Sequence, residues 1–241
     1  MILTNYGIVS SSGMSTSTLN ESLFAVYKAE SNANDSLGNY SGTPYGGLTY
    51  TTGKSGNAFV GNGTDAYVSL PNDSYNSLTG DFSISLWVNI VNTGGVQQAL
   101  FTNFAYAGTA FYGFAISNLG YTKFQIFDGS ATPVTLQEPS ANPYGAWQHI
   151  VCTRKTGSAS KIYFNASLSA SNASTVNPVY TTGNMRPSIA AQSYGPLFSN
   201  LVQYYAGNGT KIDEVNIWNK ELTSTEVTEL YNSASGKFYP Y

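Results

Sequence analysis

At 241 residues, with 10% of them charged and a net charge of −3, the chain can bury one substantial core. Its charged share is well below the average of about 25%, so its surface must be solvated by Ser, Thr, Asn, Gly and Tyr. Its ten Lys and Arg residues are scattered singly and form no stripe to neutralise phosphates, which excludes a nucleic-acid partner. The lone Cys152 excludes an intrachain disulfide, the lone His149 excludes a histidine metal cluster, and no apolar run is long enough to cross a membrane as a helix.

Residues 1–20 read as a separate arm: a short apolar run at 2–9, then Ser10-Ser-Ser-Gly-Met-Ser-Thr-Ser-Thr18. Such a segment buries too little apolar surface to offset its ordering entropy, so it is expected to be disordered or to order against a neighbouring chain. The opening lacks the basic stretch and apolar core of a secretory signal, so the protein is expected to stay where it is made or leave by cell lysis.

From Leu23 the chain reads as successive strands broken by Gly, Asn and Pro, with turn signals at intervals of about 8 to 15 residues. This predicts one domain over 21–236 and a short tail at 237–241. Residues 32–39 form a loop rich in side-chain oxygens. The tetrapeptide Gly-Asn-Gly-Thr at 61–64 and again at 207–210 predicts a tight turn each time, because Asn-Gly readily adopts positive φ. Nothing around it repeats, so the recurrence is assigned to composition and not to duplication.

Phe82, Ile84, Leu86, Val88 and Ile90 alternate with Ser83, Ser85 and Asn89. They predict a strand with one face on the core, Trp87 being an apolar exception on the other face. Residues 97–127 are the most aromatic stretch. Cys152 and His149 fall in a strand that starts near Trp147, where a buried thiol and a histidine packed near Trp147 are expected, not reactive groups. Ile162, Phe164, Ala166 and Leu168 predict another alternating strand. Lys211-Ile-Asp213-Glu-Val-Asn-Ile-Trp218 predicts the closing strand. Thr223 with Glu226 three residues on is a capping box, and Leu222 with Val227 is a hydrophobic staple, which together predict a helix over about 224–231.

These passages carry a resemblance. Ile-Asp-Glu-Val-x-Ile-Trp-Asn, then Leu222-Thr-x-x-Glu226-Val-x-x-Leu-Tyr231, resembles the closing signature of the laminin-G-like, concanavalin A-like jelly-roll superfamily. Earlier matches follow in order: Asp35-Ser-Leu-Gly38-Asn39, Gly53-Lys-Ser-Gly56-Asn-Ala58-Phe59, Gly80-Asp-Phe-Ser-Ile-Ser-Leu-Trp87, Trp147-Gln-His149-Ile-Val, and Tyr163-Phe-Asn165 with Ala166 where the family has glycine. The resemblance implies an all-β fold, a two-sheet antiparallel jelly-roll sandwich with one short C-terminal helix. It also implies one structural calcium ion between the early loop and the closing strand, with Asp35, Asn39 and Asp213 as candidate metal ligands. The alternative is that Asp35 merely caps an Asx turn and Asp213 accepts backbone N–H bonds. The opening residues resemble the starts of bacteriophage structural proteins.

Catalytic sets are harder to assemble. Carboxylate-pair hydrolysis needs two acids across one cleft. Asp213 and Glu214 are adjacent and are expected on opposite faces of a strand. His149 has no nucleophile elbow for company. Gly53-Lys54-Ser55 is a turn, since Leu48 stands where a phosphate loop needs glycine.

No catalytic residues are therefore expected. The sequence favours a non-enzymatic decoration or attachment module on a phage virion surface, made in the host cytoplasm. It would contact other virion proteins through its arm, be oligomeric or part of a larger assembly, and also bind surface glycans. The alternative is a carbohydrate-binding module or adhesin outside a virion; a polysaccharide-active enzyme ranks last. For a sugar platform the aromatics within 104–121 or 194–205 are candidates, although the core is the commoner place for such rings.

Overall fold

The computed structural model describes residues 17–107, 110–183, 185–193 and 202–241. In chain order the strands are β1 (Leu23–Tyr27), β2 (Thr43–Tyr45), β3 (Thr49–Thr52), β4 (Asn57–Val60), β5 (Tyr67–Ser69), β6 (Phe82–Asn89), β7 (Gln98–Ala107), β8 (Ala110–Asn118) and β9 (Thr122–Asp128). They continue with β10 (Val134–Gln137), β11 (Trp147–Arg154), β12 (Ser160–Phe164), β13 (Ser167–Asn172), β14 (Arg186–Ile189), β15 (Ala191–Ser193), β16 (Val202–Tyr205) and β17 (Lys211–Trp218), before helix α1 (Ser224–Tyr231).

One sheet runs β13-β12-β11-β6-β17-β4-β3, with β1 also paired to β17; the other runs β10-β9-β8-β7-β14-β5-β2, and β15 and β16 form a separate hairpin. The pairings are antiparallel. This is the two-sheet sandwich with one short C-terminal helix that the sequence predicts. Between the sheets Ile84, Leu86, Val88, Ile150, Cys152, Ile212 and Ile217 join Phe101, Phe114, Ile116 and Phe124 in one fully buried cluster. Each such side chain contributes about 1.5–3 kcal/mol by leaving water.

The other face of the β6–β11–β17 sheet is covered too. Leu19, Val151, Tyr163, Trp218, Leu222, Val227 and Leu230 make a second cluster, with Tyr241 packed against it. Helix α1 begins as predicted: Thr223 Oγ1 accepts from Glu226 N and the Glu226 side chain accepts from Thr223 N, closing the capping box. Residues 17–20, counted with the arm in the sequence, pack here. Trp218 Nε1 donates to Leu19 O at 2.7 Å, and Thr18 Oγ1 donates to Glu226 Oε1 at 2.6 Å. The rest of the arm lies outside the described residues.

Two local expectations are corrected. Asp213 and Glu214 do not take opposite faces, because β17 bulges between them and Asn216: Glu214 has φ 47°, and its register with β6 slips between Asp213↔Trp87 and Asn216↔Ser85. Ile212 and Val215 both reach the core, so the two acids between them share the outer side. The predicted alternation over residues 162–168 breaks at Asn165 and Ala166, both with positive φ (48° and 67°), which turn the chain into β13 and leave Leu168 56% exposed. Ala166 takes the left-handed conformation that glycine would hold without strain.

Candidate functional site

The repeated Gly-Asn-Gly-Thr turns meet in space, at the end of the sandwich where β4 and β6 finish and β7 and β17 begin. Gly61 N donates to Thr210 O, Gly209 N to Gly61 O, and Gly63 N to Ala206 O, locking one turn onto the other. Glycine is required at Gly61, where a Cβ would sit 2.6 Å from Ala206 O. Gln98, 1% exposed, ties in a third loop: its Oε1 accepts from Gly207 N (2.9 Å) and Thr210 Oγ1 (2.6 Å), and its Nε2 donates to Val91 O (2.9 Å). Asn62 pins its own turn, with Oδ1 accepting from the N–H groups of Thr64, Asp65 and Ala66.

These three loops enclose a cleft of about 360 Å³, lined by Val91, Asn92, Thr93, Val96, Gln97, Gln98, Tyr205, Asn208 and two glycines. Tyr205 starts a row of rings. Its centroid is 6.2 Å from Tyr67, and Tyr67 stacks on Tyr45 at 5.2 Å with planes 10° apart. Tyr45 is 48% exposed. Burial, then the neighbouring Tyr205 and Tyr45, push the Tyr67 hydroxyl up to about 12, and the Asp65 carboxylate adds to the rise at Tyr205, so these hydroxyls remain protonated donors near neutral pH. Apart from Tyr205, nothing lining the cleft titrates.

The other concavities differ. A more open groove of about 790 Å³ along α1 is lined by Ser224, Thr225, Thr228, Glu229, Asn232, Ser233 and Lys237 and has no aromatic wall. A cleft of about 320 Å³ beside β10 and β13 contains Glu138, whose carboxylate accepts from Asn142 Nδ2, Ser169 Oγ and Thr122 N and serves as a brace.

The expected metal ligands are placed as follows. Asp35 accepts four backbone N–H bonds, from Val26, Leu37, Asn39 and Tyr40, at 2.9–3.1 Å. Asn39 thus contributes its backbone N–H. Asp213 accepts from Lys54 N (2.7 Å), Ser55 N (3.0 Å) and Glu214 N (2.8 Å). Calcium needs six to eight oxygens, roughly, turned towards it. Carboxylates ringed by N–H donors do not fit that demand, and among the described residues no group of three or more His, Cys, Asp or Glu could hold a metal ion. The arrangement matches the alternative reading of an Asx turn and a backbone anchor.

The bulged acids are sealed in: Asp213 is 0% and Glu214 1% exposed. Burial pushes Asp213 up to about 7, and burial with the Asp213 charge pushes Glu214 up to about 8. Neither Glu214 oxygen has a hydrogen-bond partner among the described residues. His149 stacks on Trp87 at 4.9 Å, not on Trp147, shares a 2.8 Å hydrogen bond with Ser85 Oγ, and is pushed down to about 3 by burial. None of these groups lines any of the three concavities described above. Cys152 is buried and its thiol pushed up, as a core residue should be.

Of the aromatic stretches singled out in the sequence, Phe104, Ala115 and Phe127 pack on one another with Tyr106 and Phe111. The second stretch supplies Tyr205; its residues 194–201 lie outside the described residues. Sequence reading missed Tyr45, Asp65, Gln98 and Asn208. The repeated tetrapeptide was the one signal that could have pointed to them.

The class is now defined: a jelly-roll sandwich with a loop-built cleft that Tyr205 lines. A family model, Laminin_G_3, described as the concanavalin A-like lectin/glucanases superfamily, matches residues 62–228, and the chain belongs to that superfamily. No curated protein matches it significantly in sequence. Among solved structures it is similar to Domain 4 of AbnA, a GH43 extracellular arabinanase from Geobacillus stearothermophilus, in complex with arabinotriose (TM-score 0.62, 22% identity, 86% of this chain and 97% of that one). It is also similar to the binding domain of Paraclostridial Mosquitocidal Protein 1 (TM-score 0.70, 18% identity, 90% and 53%). A third is the binding domain of Botulinum Neurotoxin DC in complex with SialylT (TM-score 0.66, 16% identity, 89% and 52%). The chain spans about half the length of the two toxin domains.

Proposed function

We propose that the chain is a non-catalytic glycan-binding module. The observation that carries this reading is the Tyr205–Tyr67–Tyr45 row beside a pre-formed cleft of uncharged amides. Ring faces suit the apolar faces of sugars, and a few fixed polar groups set orientation. The sugar ligands named for Domain 4 of the arabinanase and for the neurotoxin domain support it by analogy of fold. A glycan array followed by calorimetry on the best ligand tests it: Tyr45→Ala and Asn208→Ala, both at exposed positions, are expected to weaken binding at least about tenfold with the fold intact. Turnover of a polysaccharide would instead favour the enzyme reading.

The carrier in this reading is a phage virion, with residues 1–16 docking on a neighbouring virion protein and the sandwich displayed at the surface. Its support is the opening motif Tyr6-Gly7-Ile8-Val9-Ser10. Recovery of the protein from purified particles at a fixed copy number is the expected result. Its absence from them would remove the carrier and leave the binding module standing.

A further inference from the structure

We infer that the cleft selects neutral, hydroxyl-rich glycan segments and rejects sialylated, sulfated or uronate-bearing ones, an inference that rests on the glycan-binding reading above. Among the described residues, none that lines the cleft carries a charge. Its free polar groups are amides. Gln97 and Asn208 make no side-chain hydrogen bond among the described residues, and Asn92 spends only its Oδ1, on Gly94 N. An amide presents a donor and an acceptor side by side, which is what a sugar hydroxyl also presents.

Anion recognition needs a guanidinium fork, an ammonium, or a nest of unspent backbone N–H groups. The two cationic groups are missing among the described residues that line this site. No Lys or Arg lines the cleft. Backbone donors of the Asn62 and Thr210 turns are spent within the fold: Thr64, Asp65 and Ala66 on Asn62 Oδ1, Gly207 on Gln98 Oε1, Gly209 on Gly61 O, and Val91 on Thr210 Oγ1. Asp65, in the turn pinned by Asn62 and two residues before Tyr67, brings a negative charge to the row of rings. Burial and then the Asp65 carboxylate raise the Tyr205 phenol, and that carboxylate is held by Asn62 Nδ2 at 2.7 Å with no cation paired to it among the described residues. A sugar carboxylate or sulfate entering here meets a like charge and no compensating cation.

The experiment measures affinities of the full chain for pairs of oligosaccharides that differ only by an added sialic acid or sulfate. The neutral member is expected to bind and its acidic partner to bind at least about tenfold more weakly. Asp65→Asn, which keeps the Oδ1 acceptor for Asn62, is expected to narrow that gap. An acidic partner that binds as well or better overturns the selectivity and leaves the glycan reading intact. An unchanged gap in Asp65→Asn overturns the charge argument. No binding of either member overturns the reading on which the inference rests.

Discussion

The outer face of the β6–β11–β17 sheet and the loop end of the sandwich handle polar groups in opposite ways. Under α1 and the C-terminal residues, Asp213, Glu214 and His149 are titratable, buried and strongly shifted. In the cleft the groups are uncharged, tied to one another by backbone bonds, and open to solvent on one side. Perturbed titration marks functional sites only when access comes with it. Here it marks the seam that closes the fold, and the proposed binding surface is the chemically quiet region.

The sharpest way to separate the two regions is to break the seam. Trp218→Ala removes a fully buried ring and its bond to Leu19 O, and should cost about 3–5 kcal/mol in a denaturant titration, while protein that remains folded keeps its glycan affinity. Loss of binding in the folded fraction would show that the regions are coupled.

The next largest effect is on pH dependence. Asp213 and Glu214 have folded pKa values raised from 3.8 and 4.5 to about 7 and about 8, so their contribution is complete below the unfolded values and is lost as pH rises through the folded ones. His149, lowered from 6.5 to about 3, acts in the opposite sense below 6.5, where the unfolded chain takes up its proton first. The fall should therefore be clearest as pH rises from about 6.5 to 8, read as a drop in denaturation midpoint. Glu214→Gln should flatten it. A midpoint that climbs over that window would overturn the neutral-acid account of the seam. The smallest effect lies outside both regions: Ala166→Gly should raise stability by about 1 kcal/mol by relieving the left-handed turn, without changing the pH slope or binding.

Much of the fold was legible because its signals are local. The Phe82–Ile90 alternation, the Thr223–Glu226 box and the Leu222–Val227 staple each need only a few consecutive residues. The bulge at Glu214 was not legible, since the residues read as an unbroken strand and only pairing with β6 exposes the slip. The same holds for the cleft. Asn62, Gln98 and Thr210 come together through contacts more than a hundred residues apart in part, and composition cannot announce such a meeting. Asp35 and Asp213 were singled out as candidate calcium ligands, with backbone N–H acceptance as the alternative, and in the structure both carboxylates accept backbone N–H bonds.

Asn20 Nδ2 donates to Tyr241 O at 3.0 Å, so residue 20 and the last residue sit side by side. A body entered and left at one point can be spliced into a surface loop of an unrelated host, or have its ends joined and new ones opened elsewhere, with little distortion of either partner. Strung one after another on short connectors, copies of it would hang like pendants from a cord.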